Sequence, residues 1–498
     1  MRNIQKPGFL LKGLVGLSMC STMFSNIAAQ KNSTQPRKQM NVLFIAVDDL
    51  RPLLGCYGDP NVKSPNIDCI MKQGMAFTRA YCQMAWCSPS RSSLMTGMRP
   101  DETKVWDLVT HFRVALPYAV TLPEQFKKYG YHTLAFSKIY HCTATYGKKL
   151  DDPQSWSEPS WFPKKPAYLT PEGQELVKKN HRGEYSGSPY EAPDVPDNAL
   201  NDGQTADTVI EALRRIKDQP FFLAAGFLKP HLPFVAPKKY WDLYDREQFK
   251  LADNPYLPDG APKYAIGVGA GDGEEICSYL IKWPLSDDEA RTLIHGYNAC
   301  VSYIDAQIGR IIDELEKLKL RDNTIIIIFG DNGWHLGEHG HWAKNTNFEV
   351  ATRVPLIISV PGQSLTGKLS NALVELVDIY PTLCDLCSIP IPDGLEGCSF
   401  KPLLKNPNKV WKNAAFSQHP RTIPGYGNGM GYSMRTDRYR LTEWTVPGTS
   451  LCEYELYDHK TDPKENRSLA KLPVYCDFVK QLAAQLHAGW KDALPKGK

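Results

Sequence analysis

The sequence predicts an α/β fold: a large, mostly parallel sheet sandwiched by helices, followed by a smaller C-terminal antiparallel sheet with a helix. Three observations carry this. Continuous apolar, β-prone runs at Asn41–Val47, Phe221–Phe227 and Thr324–Gly330 lack alternation, the pattern of strands covered on both faces. Between them, residues 122–129, 202–217 and 287–318 place apolar side chains at helical spacing, the last as one long helix or a broken pair. Beyond residue 409 the pattern changes to short alternating runs at 431–436, 439–444 and 455–458, then a helical stretch over 474–494. The chain of 498 residues is too long for one small core. Its 42% hydrophobic and 22% charged content is that of an ordinary globular protein. A net charge of +4 gives no reason to expect nucleic acid or a membrane surface as partner.

In chain order, Arg2, Lys6 and Lys12 precede an apolar stretch over 13–24 and the small pair Ala28-Ala29. This is the layout of a cleaved secretory signal over 1–29, too short to span a bilayer, and it implies export. Leu17-Ser18-Met19-Cys20 resembles a lipoprotein box except for the bulky Met19. No other segment is a membrane-span candidate. Sequons only at Asn32 and Asn466 favour a periplasmic location over a lysosomal or secreted one. The polar stretch Lys405-Asn406-Pro407-Asn408-Lys409 is a linker, which gives a main domain over 30–405 and an α+β domain over 406–498.

The first strand run ends in Asp48-Asp49, a turn or cap by itself, or a cation site if other oxygens join it. The run at Thr324–Gly330 also ends in oxygen ligands, Asp331 and Asn332. Central strands of open α/β sheets bring their carboxyl ends to one crevice. Three carboxylates and an amide there form a hard, all-oxygen site suited to Ca²⁺ or Mg²⁺ rather than zinc. Cys87-Ser88-Pro89-Ser90-Arg91 lies just before an expected helix start, where backbone N–H groups and a guanidinium can face an anion. Residues 130–136 form a strand that ends at Ser137-Lys138-Ile139-Tyr140-His141, and prolines fix the backbone around Lys229 and His231. Residues 151–201 have little periodicity and suggest a long decorated loop. His335, His339 and His341 lie among glycines that mark a bent backbone rather than a transition-metal loop. Residues 353–361 are a strand, and Cys384-x-x-Cys387 falls in a helical stretch as core packing, not a zinc or redox motif.

The longer pattern Cys87-x-Pro89-Ser90-Arg91-x-x-Leu94-x-Thr96-Gly97 resembles the signature of the type I sulfatases, whose fold is alkaline-phosphatase-like. The resemblance implies that Cys87 is oxidised by a formylglycine-generating maturation enzyme, and that the hydrated aldehyde is the nucleophile. It also implies calcium held by Asp48, Asp49, Asp331, Asn332 and the formylglycine at Cys87. Arg91, Lys138, Lys229 and Lys344 would surround the sulfate, His141 would act on the formylglycine hydroxyl, His231 would protonate the leaving oxygen, and His335 or His341 would touch substrate. Asp48-Asp49-Leu50-Arg51-Pro52, Trp342-Ala343-Lys344 and the run over 430–436 are most similar to the iduronate-2-sulfatase branch. That branch removes the 2-O-sulfate of uronic acids in glycosaminoglycan oligosaccharides. A uronate carboxylate needs a cation, for which Arg353, His419 and Arg421 are candidates. Asn332 departs from the histidine of the branch's lysosomal members and leaves the substrate open. Alternatives are a sulfatase for another sugar, a phosphodiesterase or phosphonate hydrolase, and a glycan-binding protein with a dead site.

Overall fold

A computed structural model of the protein describes residues 39–141, 150–180, 187–266, 276, 279 and 281–495. The expected signal segment lies outside them. The strands are β1 (Asn41–Val47), β2 (Met75–Tyr81), β3 (His132–Ser137), β4 (Tyr190–Glu191), β5 (Phe221–Phe227), β6 (Phe234–Val235), β7 (Thr324–Gly330), β8 (Arg353–Ser359) and β9 (Lys368–Glu375). They are followed by β10 (Ala414–Ile423), β11 (Gly427–Thr436), β12 (Tyr439–Thr445) and β13 (Cys452–Asp458). Seven of them form one sheet in the order β3-β5-β1-β7-β8-β2-β9. The run β3-β5-β1-β7 is parallel throughout, whereas β8 lies antiparallel to both β7 and β2.

Register makes a site out of the parallel strands. Val47 pairs with both Phe227 and Gly330, and Ser137 pairs with Gly226, so four neighbouring strands stop at nearly one level. Their next residues, Asp48, Lys138, Leu228 and Asp331, leave from the same edge. Two glycines let the chain close in there. A Cβ on Gly226 would meet the Lys138 carbonyl at 2.2 Å, and one on Gly330 would meet the Leu50 carbonyl at 2.2 Å. Alternate residues of β1 feed opposite layers. Leu43, Ile45 and Val47 pack with Val209, Leu213, Leu293 and Ile304 from the helices Asn201–Ile216 and Asp287–Lys317. Val42, Phe44 and Ala46 pack with Leu94, Phe126 and Leu383 from the helices Cys87–Thr96, Leu122–Lys128 and Ile379–Leu386.

Of the two forms expected for 287–318, the structure has the single helix, Asp287–Lys317, 31 residues long and opened by a Ser286–Glu289 capping box. Other expectations need correction. Residues 151–201 are not all loop, because Pro171–Asn180 is helical and β4 pairs with β6. That helix buries only Gly173 and so leaves no apolar periodicity to read. Strands β2 and β9 were not expected; β9 forms one edge of the sheet, and its exposed Lys368, Leu369 and Asn371 break the apolar run. Cys384 is core, as expected, and the described cysteines form no disulfide with one another. Among the described residues no helix is long and apolar enough to cross a membrane.

The second sheet runs β10-β11-β12-β13 in antiparallel order. Met434, Leu441 and Leu456 cover Val479, Leu482 and Leu486 of the helix Cys476–Asp492. Its first strand reaches the main sheet: Gln418 N–H donates to the Gln83 carbonyl (2.8 Å) and Ser417 Oγ to the Cys82 carbonyl (2.6 Å). Glu455 on β13 is buried and accepts from Trp444 Nε1 (2.7 Å) and the Tyr457 hydroxyl (2.5 Å). Burial raises its pKa from 4.5 to about 7 against these two donors. Between those values the native state keeps a proton that the unfolded chain releases, so this group's contribution to stability falls as pH rises through the window. Above pH 7 the penalty is on the order of 3 kcal/mol. Glu455→Gln should therefore gain stability over wild type progressively between pH 4.5 and 7. Melting curves at a series of pH values would show this, and a pH-independent difference would refute it.

Candidate active site

The helix Cys87–Thr96 points its N-terminus at the edge where the parallel strands end. Cys87 is its first residue, with Trp86 as an extended N-cap, rather than a residue ahead of the helix. The Cys87 sulfur lies 3.7 Å from both Asp49 Oδ1 and Asn332 Nδ2. One carboxylate oxygen from each of Asp48, Asp49 and Asp331 and this sulfur lie within 4.8 Å of one another. All four residues are buried.

Three cations hold these carboxylates together. Arg91 donates through Nε to Asp331 Oδ2 (2.6 Å) and through Nη2 to Asp48 Oδ1 (3.0 Å), with further bonds to the Lys138 and Ile139 carbonyls. Lys138 bonds Asp48 Oδ2, and Lys344 bonds Asp49 Oδ2 at 2.7 Å. Burial raises the pKa of Asp48, but Lys138 and Arg91 outweigh it and hold the carboxyl well below its ordinary range. The Cys87 thiol is pushed well above its ordinary value by burial and then by Asp48, so as a thiol it stays protonated. Asp49 has a left-handed backbone, φ 57°. Its N–H donates to Asp331 Oδ1 (3.0 Å), and its carbonyl accepts from the Tyr297 hydroxyl (2.7 Å). Ser90 Oγ donates to the Asp331 carbonyl (2.5 Å), fixing the Asp331-Asn332 segment to the helix.

Two histidines flank the cluster. His231 Nδ1 donates to the Leu232 carbonyl (2.7 Å), which leaves Nε2 toward Asp49 Oδ2 at 3.8 Å. Its side chain is 27% exposed, so it stands at the mouth of the site. Burial, then Lys344 and Lys138, lower its pKa. His141 is buried, and burial followed by Lys138 holds it neutral.

Other expected residues sit elsewhere or act indirectly. The Lys229 ammonium donates to the carbonyls of His231 (2.8 Å) and Pro233 (2.6 Å), so it shapes the His231 loop rather than facing the carboxylates. His335 is fully buried and uses both ring nitrogens inside its own loop, on the Glu338 carbonyl (3.0 Å) and Thr346 Oγ1 (2.9 Å), so it is not placed to touch substrate. Arg353 opens β8, and its Nε donates to the Thr78 carbonyl (2.7 Å). Arg421 donates to the carbonyls of Tyr264 (2.9 Å), Ile266 (2.7 Å) and Asn345. His419 lies 5.9 Å, ring to ring, from Trp86, and burial and Arg421 lower its pKa, so it is an N–H donor rather than a cation. Trp86 and Tyr297 escaped the sequence reading, and Ser90 entered it only as a letter of the motif, without its bond to Asp331. Only Trp86 and Ser90 had a signal, their place beside Cys87.

The residues present fit a hard divalent cation. Three carboxylates converge, and Asn332 Oδ1 is a buried acceptor without a hydrogen-bond partner beside them. That is the donor set of a calcium-type site and not of a zinc site.

Clustered carboxylates under lysine and arginine, at the N-terminus of a helix, suit the handling of an anionic ester. The comparisons narrow this class. A family model described as Sulfatase matches residues 40–389, and one described as N-sulphoglucosamine sulphohydrolase, C-terminal, matches residues 337–492. The chain belongs to the sulfatase family and is a sulfuric ester hydrolase. It is 36% identical to iduronate 2-sulfatase of Homo sapiens, over 93% of this chain and 96% of that protein. In fold it is similar to a solved 2-O GAG sulfatase (TM-score 0.70, 23% identity, 91% of this chain and 92% of that one). It is equally similar to a phosphonate monoester hydrolase from Silicibacter pomeroyi (TM-score 0.72, 22% identity, 92% and 96%).

Proposed function

We propose that the protein removes the 2-O-sulfate of uronic acid residues, iduronate or unsaturated uronate, in glycosaminoglycan oligosaccharides. The observation that carries it is the 36% identity to iduronate 2-sulfatase across nearly the whole chain, with every residue of the carboxylate cluster in place. A maturation enzyme would convert Cys87, and export, in a periplasm or to a lysosome or medium, would bring the protein to its substrate. Calcium held by Asp48, Asp49, Asp331 and Asn332 would polarise the sulfate, and formylglycine at 87 would supply the nucleophilic oxygen.

The chain's own side chains do the rest. Arg91, Lys138 and Lys344 place positive charge around the point where the sulfuryl oxygens arrive, in a site that excludes water. Lys229 holds the carbonyls on either side of Leu232 and so fixes the His231 loop. His231, oriented through Nδ1, carries a proton on Nε2 to the departing sugar oxygen, and an arriving anion favours its protonated form. His141 accepts the proton that must leave residue 87 for sulfate to be released.

Sulfate release from 2-O-sulfated uronate disaccharides, with 6-O-sulfated disaccharides and a phosphodiester as controls, tests the reading. Release from the 6-O compounds or the phosphodiester alone would sink it. The same assay separates the role of His231. A sugar alkoxide is a poor leaving group and an acidic phenol a good one, so His231→Ala should lose about 10²- to 10⁴-fold on the disaccharide. On an activated aryl sulfate the loss should be much smaller. Equal losses on both would remove His231 from the acid role.

A further inference from the structure

We propose that Tyr297 is a positioning residue for the metal site, locking Asp49 in its left-handed conformation; this rests on the calcium reading above. A non-glycine residue at φ 57° is uncommon and persists only where its surroundings fix it. Tyr297 supplies that constraint from the middle of the helix Asp287–Lys317. Its hydroxyl donates to the Asp49 carbonyl (2.7 Å) and accepts from the Arg51 N–H (3.0 Å). One oxygen thus bridges the peptide groups on both sides of Leu50 and sets the turn that aims the Asp49 carboxylate. Burial pushes the phenol's pKa up, which keeps it a donor. The ring is itself held edge-on against Phe234, at 5.7 Å and 88°. Arg51 is anchored in turn by Glu338 Oε1 (2.8 Å) and the Trp334 carbonyl (3.2 Å).

Removing the hydroxyl leaves the buried Asp49 carbonyl without its partner, and the turn relaxes away from the geometry that gathers the three carboxylates. The same helix offers a matched control. The Tyr303 hydroxyl also bridges two peptide groups, donating to the Asp197 carbonyl (2.9 Å) and accepting from the Gly203 N–H (2.6 Å), but at no carboxylate of the site.

The test compares calcium affinity, by calorimetric titration of chelator-treated full-length protein, for wild type, Tyr297→Phe and Tyr303→Phe. Partners that orient metal ligands typically contribute about 10- to 100-fold in affinity. Tyr297→Phe should weaken calcium binding by about tenfold and lower kcat with little change in KM. Tyr303→Phe should lose thermal stability to a similar extent with calcium affinity unchanged. Wild-type affinity in Tyr297→Phe, or equal weakening in both variants, overturns the proposal alone. A wild type that takes up no calcium overturns the metal reading and the proposal with it. If Tyr297→Phe does not fold, Phe234→Leu loosens the ring while keeping the hydroxyl. It should weaken calcium by a smaller factor, and unchanged affinity there counts against the proposal.

Discussion

Cys87→Ala is expected to abolish sulfate-ester hydrolysis, by at least about 10⁴-fold, while the protein stays folded. The sulfur makes only the long contacts to Asp49 and Asn332, so its loss removes little packing. What it removes is the sulfur at the meeting point of the carboxylates, the atom that the proposed mechanism replaces with the nucleophile. Two measurements on the wild type separate two chemistries. If residue 87 acted as a plain thiol, its raised pKa would leave it almost wholly protonated at neutral pH, and activity would climb steeply with rising pH. If it acts after conversion, activity tracks the fraction of chains that have lost sulfur at residue 87, read by peptide mass spectrometry. Full activity in Cys87→Ala would refute every mechanism built on this residue.

Lys412→Met is expected to have the largest effect on stability, about 3–5 kcal/mol. Lys412 is buried and donates to Glu375 Oε2 (2.7 Å) and to Asp378 Oδ1 (2.6 Å) and Oδ2 (2.8 Å). Arg99 forks onto both oxygens of Glu375 (2.8 and 2.9 Å). The Phe416 N–H on β10 donates to the same carboxylate (2.9 Å). The cluster therefore joins the end of β9 to the first strand of the second sheet. Burial acts to raise Glu375, but Arg99 and Lys412 bring it down to about 2, whereas burial raises Asp378. Without Lys412, two buried carboxylates share one guanidinium. Asp378 then takes up a proton more readily, so the variant's deficit should be smaller at pH 5 than at pH 8. Adding Asp378→Asn should recover part of the loss. Denaturant titrations that put Lys412→Met within about 1 kcal/mol of wild type would refute this account.

The strands that carry the site were legible because they are buried on both faces: β1, β5 and β7 are apolar runs with chemistry at their ends. The edge strand β9 and the polar helix Pro171–Asn180 were not, since neither shows the pattern its geometry usually imposes. Cys87, Arg91, Asp48-Asp49 and Asp331-Asn332 stood out because each lies at a strand end or a helix start, where the pattern is local. Lys229, His335, Arg353 and Arg421 were singled out as basic side chains near a motif, but such a side chain can as well serve backbone carbonyls, and only the folded neighbours show which bonds it makes. Tyr297 had no local signal at all, because its partner is far away in sequence and near only once the long helix packs on the sheet.

The depth of Cys87 also sets an order of events in the life of the chain. The residue is 1% exposed, sealed by its own helix, by the ends of four strands and by the loop that β10 braces. If residue 87 is converted as proposed, the enzyme that rebuilds its side chain would have to reach it while this segment is still extended, before the sheet closes over it. On the proposed reading, maturation and folding would run as a race on each new molecule, and whichever finished first would decide whether that molecule works.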